Sequence, residues 1–115
     1  MDSILQRLAE LNEIVSAILI GKDGLIVSGT VQNDDEEMLS AVSAAAFDSI
    51  ANYTTQANHG ALKHVIVETE KGTIQLTEVG ELILVVTTNG TGNMGRVRLE
   101  MKKACQQLSK LVAAY

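Results

Sequence analysis

The chain has no proline and no tryptophan, one cysteine, and only three aromatic residues in 115. Each absence excludes something. A lone Cys105 rules out an internal disulfide framework and is compatible with a reducing cytosol. So few aromatics leave no base-stacking surface, and no basic cluster is dense enough to follow a phosphate backbone against a net charge of −5; nucleic acid is therefore not an expected partner. No apolar run approaches the ~18–20 residues of a membrane span. Met1-Asp2-Ser3 places no basic region ahead of an apolar stretch, so a secretory signal is not expected either. His59 and His64, the two histidines, have no spaced metal-ligand partner and sit in no nucleophile–base–acid pattern. G-x-S-x-G, H-E-x-x-H and P-loop patterns are missing too, so neither an enzyme nor a metal or cofactor site is expected.

The chain is 46% hydrophobic and 20% charged, the composition of a globular protein. The length fits one domain, residues 1–115. Without proline, and with aliphatic side chains for its core, the chain should form regular elements. Ser3 and Gln6 have capping-box spacing, and Ile4, Leu5, Leu8 and Leu11 repeat at helical intervals. "IVSAILI" (Ile14–Ile20) and "LIVSG" (Leu25–Gly29) flank the turn Gly21-Lys22-Asp23-Gly24, a hairpin pattern.

The acidic run Asp34-Asp35-Glu36-Glu37 complements the positive end of a helix dipole and opens a long helix to about Gln56. Dipole complementation accounts for these carboxylates without a cation. Three strands come next, "LKHVIVETE", "GTIQLTEV" and "ELILVVTT", joined by tight turns and hence antiparallel. A last helix runs from about Asn93 to Val112, with Met94, Val97, Met101, Ala104, Cys105, Leu108 and Leu111 as its apolar face. The order is α-β-β-α-β-β-β-α. "SAILI" and "LILVV" are apolar throughout and read as central strands covered on both faces, while the alternating "GTIQLTEV" is expected to be partly exposed. The class is α+β: a five-stranded antiparallel sheet with helices on both faces.

Between the last strand and the last helix lies Gly90-Thr91-Gly92-Asn93-Met94-Gly95, a G-x-G-x-x-G pattern. A dinucleotide fingerprint requires a second strand after the helix and an acidic residue about 20 positions on. Here the last helix takes up the chain to about Val112, so no second strand is expected. The glycines are better read as a chain reversal through positive φ, with Asn93 or Thr91 as helix cap and Gly95 allowing close approach to the sheet. Arg96 and Arg98 stand out, because cations are mildly disfavoured in a first helical turn. They are candidates for holding an anion or a partner's carboxylate, although pairing with neighbours such as Glu100 is the plainer reading.

The long helix carries too much apolar surface for one sheet. Leu39, Val42, Ala46, Ile50 and Tyr53 form one stripe, expected to lie on the sheet. Met38, Ala41 and Ala45 then fall on one flank and Ala44, Phe47 and Ala51 on the other. That arc exceeds the ~100° core packing needs, and exposed Met38 and Phe47 point to an intermolecular contact. The strand Lys63–Glu68, with Val65 and Val67, reads as a sheet edge with no proline to block pairing. One edge strand and one adjacent apolar helix, repeated by a two-fold axis, make a self-complementary interface. A homodimer with a continuous sheet is expected.

Taken together, "VSAILIGKDGLIVSG", "DDEEMLSAVSAAAFDSIA", "HVIVETEKGTIQLTEVGELILVV" and "NMGRVRLEMKKA" resemble the roadblock / dynein light-chain family, kin of the longin domains. The likeness runs from about Leu5 to Leu111 in matching order and spacing. It implies the long helix on one sheet face, the terminal helices on the other, and a homodimer through the long helix and the strand after it. It also implies a non-catalytic platform; with the lone cysteine and no expected signal or cofactor site, a cytoplasmic location without cofactor is the expectation. Prokaryotic members commonly bind Ras-like small GTPases and regulate their nucleotide cycle; eukaryotic ones serve motor or signalling scaffolds. The surfaces carried over are Met38, Ala41, Ala45 and Asp48 on the helix and Lys63–Glu68 on the edge. A small-ligand or anion-sensing module built on the glycine loop, or a purely structural subunit, is the alternative function.

Overall fold

The computed structural model describes residues 1–29 and 34–113. The elements are α1 (Asp2–Ala9), β1 (Ile14–Gly21), β2 (Ile26–Gly29), α2 (Asp34–Gln56), β3 (His64–Thr69), β4 (Gly72–Val79), β5 (Leu82–Thr88) and α3 (Met94–Val112). Order and type match the expectation from sequence. The strands form one antiparallel sheet in the spatial order β2-β1-β5-β4-β3.

The two most apolar strands lie side by side near the centre, with Ile18 opposite Val85 and Leu19 opposite Leu84. Because strand side chains alternate, this pair feeds two cores. Ala17, Leu19, Leu84 and Val86 pack with Leu5 and Leu8 of α1 and with Val97, Met101, Ala104 and Leu108 of α3. Ile18, Ile20, Ile83 and Val85 pack with Ala44 and Phe47 of α2 and Leu76 of β4. One sheet thus separates a two-helix layer from a one-helix layer, and both faces of the central strands are covered.

Three local expectations shift. α1 begins at Asp2 after Met1, with no side-chain cap, so Ser3 and Gln6 form no capping box; its register is set by burying Leu5 and Leu8. The Asp2 carboxylate instead accepts a hydrogen bond from Ser28 Oγ, tying α1 to β2. At the end of α3, Val112 rather than Leu111 closes the buried row, and Leu111 is 42% exposed. The 3.6-residue period carries the stripe four residues on from Leu108. β4 is less exposed than its alternation suggested, since Gln75 and Val79 are buried on the α3 side of the sheet and Leu76 on the α2 side.

Candidate interaction surface: the outer face of α2 and the β3 edge

α2 is rotated about its axis relative to the stripe read from hydrophobicity. Ser40, Ser43, Ala44 and Phe47 are buried against the sheet, with Leu39, Ala46, Ile50, Ala51 and Thr54 half-buried beside them. Val42 and Tyr53, expected on the sheet, are 59% and 70% exposed. Phe47, expected on the exposed flank, is buried among the core residues contacting α2. Size and fit decide this. Phe47 is the chain's one phenylalanine, a large apolar side chain with no polar handle to satisfy. Ser40 Oγ donates to the Gly24 carbonyl at 2.5 Å, fixing the helix against the β1–β2 turn. A Cβ at Gly24 would come within 3.0 Å of the Ala41 Cα, so the turn and helix backbones are already in close approach.

The consequence is an outward face that a surface helix does not need. At 100° per residue, Met38, Ala41, Val42, Ala45, Asp48, Ser49, Asn52 and Tyr53 share the side opposite the sheet, and all are exposed. The structure therefore brings Met38, Ala41, Ala45 and Asp48 together and adds Val42 and Tyr53, while Phe47 leaves the set. The acidic start of α2 falls partly outside the described side chains, which begin at Glu36.

β3 pairs with β4 along one side only and forms one edge of the sheet. Val65 faces Leu76 and Val67 faces Ile74, which puts both valines on the sheet face that α2 covers. Val65 packs against that core, and Val67 remains 41% exposed. Lys63 precedes the strand, its carbonyl accepting from the Glu78 amide at 3.2 Å. Unpaired main-chain groups without proline are a template for another strand.

The glycine loop has a feature with no signal in the sequence. Gly90 and Gly92 have φ of 77° and 76°, and Asn93 caps α3 by accepting from the Arg96 amide at 3.1 Å. Beneath the loop lies Glu13, 4% exposed. Its Oε2 accepts from the Asn93 amide at 3.2 Å, and its carbonyl accepts from the Asn89 amide at 2.9 Å. A Cβ on Gly92 would sit 2.6 Å from Glu13 Cγ. The place where an incoming anion would meet the loop and the helix N-terminus is filled by the chain's own carboxylate. Nothing about an acidic residue just before an apolar strand pointed there. Gly95, expected to press on the sheet, is exposed and has only Asn93 Oδ1 near its missing Cβ.

Arg96 and Arg98 part company. Glu100, their expected partner, pairs with Lys103 at 3.5 Å. Arg98 lines a cleft of about 460 Å³ between α3 and the β3–β4 face, with His64, Gln75, Thr77, Leu99, Met101, Lys102 and Cys105; Arg96 does not reach it. His64 bonds Thr77 Oγ1 through Nδ1. Burial holds its pKa below the ordinary histidine value; the nearby Gln75 amide opposes this and the Arg98 charge reinforces it. Burial raises the Cys105 thiol pKa. His59 is exposed in a loop. Among the described residues, no three His, Cys, Asp or Glu side chains are grouped to hold a metal, and no helix is long and apolar enough to cross a membrane.

An antiparallel five-stranded sheet with one long helix on one face and two on the other is the roadblock/longin-like architecture. Residues 1–88 match the Roadblock/LC7 domain family, and the chain belongs to it. Two uncharacterized proteins of Methanocaldococcus jannaschii are each 30% identical over 112 residues, covering 96% of this chain and 98% of their own. Among solved structures, Myxococcus xanthus MglB superposes with a TM-score of 0.91 at 24% identity, covering 99% of this chain and 95% of its own. A Roadblock/LC7 domain from Streptomyces avermitilis gives 0.89 at 17% identity, covering 98% of both chains. These structural likenesses extend to the fold.

Proposed function

We propose that the protein is a non-catalytic, cytoplasmic homodimeric scaffold that binds a Ras-like small GTPase and modulates its nucleotide cycle. The observation that carries this reading is the outer face of α2, where Met38, Val42 and Tyr53 are 59–70% exposed. Isolated surface apolar residues are ordinary, but these align along more than four helical turns. Ala41 and Ala45 between them are small enough for a second helix to approach closely. Pairing β3 with its copy about the same two-fold axis would continue the sheet and cover the free edge. Membership in the Roadblock/LC7 family supports the GTPase as partner. A dimer of this kind acts by contacting the GTPase's switch segments, which shifts the population of their states.

Two measurements test this. Sedimentation at micromolar concentration should show a dimer, and Met38→Asp or Ala45→Arg should weaken it by setting like charges across the axis. Purified dimer should bind a cognate GTPase and alter its nucleotide exchange or hydrolysis. Binding without any kinetic change would leave a purely structural subunit, and a monomeric wild-type protein would remove the dimer altogether. The anion-sensing alternative through the glycine loop has less support, because Glu13 already occupies that position.

A further inference from the structure

The cleft between α3 and the β3–β4 face is on the side of the sheet away from α2, and the dimer leaves it without a role. Its volume of about 460 Å³ lies within the range of small-ligand pockets. Three features define what it would accept. Arg98 and Lys102, four residues apart on α3, both line it. The ion pairs among the described residues are Lys22–Glu78 and Lys103–Glu100, so neither cation has a carboxylate partner there. On the opposite wall Gln75 is 3% exposed, and its Oε1 is buried without a hydrogen bond of normal geometry, the His64 ring beside it being a weak donor; a buried acceptor so poorly paired is costly. Between the two walls the lining is apolar, from Leu99, Met101 and Cys105.

We infer that the cleft binds an amido carboxylate with an apolar side chain: a carboxylate for Arg98 and Lys102, an adjacent N–H for Gln75 Oε1, and a side chain against Met101. A free peptide C-terminus ending in an apolar residue has this chemistry, as does a free N-acylated apolar amino acid. A fatty acid lacks the donor, and a C-terminal amide lacks the charge. Charge-assisted hydrogen bonds are the strong ones, so the two cations set affinity and Gln75 sets the choice among anions. The carboxylate is brought to a cationic site on a protein of net charge −5, which disfavours indiscriminate anion binding.

The test is calorimetric titration of the full chain with the pentapeptide Gly-Ser-Ala-Val-Leu as free acid, the same peptide as C-terminal amide, and N-acetyl-leucine. Cys105, on the cleft wall, supplies a second readout through its rate of alkylation by iodoacetamide. The free acid should bind and slow alkylation in proportion to occupancy, and the amide should bind about tenfold more weakly or worse, the worth of one charge-assisted bond. Arg98→Gln with Lys102→Gln should lose a similar factor, whereas Arg96→Gln should not. Peptide binding tighter than N-acetyl-leucine identifies a partner's C-terminus as the source; equal affinity identifies the free amino-acid derivative. The inference is overturned by equal affinity for acid and amide, by no binding of either acid, or by binding that leaves Cys105 unprotected. None of these variants lies on the α2 face, so sedimentation should be unchanged and the dimer is tested separately.

Discussion

Replacing Val42 by glutamate distinguishes two placements of α2 that differ by a rotation of about 100°, one residue of helix. If Val42 packed on the sheet, the substitution would bury a carboxylate and cost several kcal/mol of stability. In the structure Val42 is 59% exposed, and an exposed helix position usually changes stability by no more than about 0.5 kcal/mol. Its effect should fall on assembly. Fully burying a valine contributes roughly 1.5 kcal/mol or more, so covering its exposed part contributes about 1 kcal/mol. A two-fold interface counts each residue twice, giving about 2 kcal/mol, or roughly a 30-fold rise in the dissociation constant. Facing carboxylates add to this. Phe47→Ala should do the reverse. It opens a cavity between α2 and β1, β4 and β5, at a cost of about 3–5 kcal/mol, without removing any side chain from the outer face. Sedimentation across a concentration series reports assembly, and urea unfolding of the dissociated variant reports monomer stability. A Val42→Glu protein that remains dimeric but loses several kcal/mol on unfolding would refute the placement of α2.

The loop, the β4 turn and the cleft each supply a further prediction. Glu13→Ala leaves the Asn93 amide without its acceptor and should cost about 1–3 kcal/mol by urea unfolding, while Glu13→Gln, which keeps an acceptor oxygen, should recover most of it. Gly72 has φ of 148°, and a Cβ there would collide with the Thr88 carbonyl, so Gly72→Ala should destabilise by more than about 2 kcal/mol, read as a lowered urea midpoint. His64 has a folded-state pKa below its unfolded value near 6.5, so the unfolded chain binds more protons as pH falls. Its contribution is therefore fully present above pH 6.5 and declines below it. The decline should be shallow because the ring is partly exposed, and a pH series of unfolding midpoints in His64→Gln should be flatter in that window.

The order and type of every described element were legible in the sequence because helix and strand periods are local properties. "SAILI" and "LILVV" are apolar on both faces, which placed β1 and β5 inside the sheet, and Asn93 before Met94 marked the start of α3. The face of α2 was not legible. Its serines Ser40 and Ser43 are less hydrophobic than Val42 and Tyr53, yet the serines are the buried ones. Ser40 finds its acceptor in the Gly24 carbonyl, sixteen residues away, and a polar group is cheap to bury only when such a partner is already in place. The same holds for Glu13 under the glycine loop, whose acceptor role involves Asn93, eighty residues on, and for the cleft that separates Arg98 from Arg96. By itself the sequence determined which segments are helix or strand and that the chain holds more apolar helix surface than one sheet can cover. The tertiary structure decided which side of that helix stays outside, what fills the glycine loop and where the free cations converge, because each depends on contacts between residues far apart in the chain.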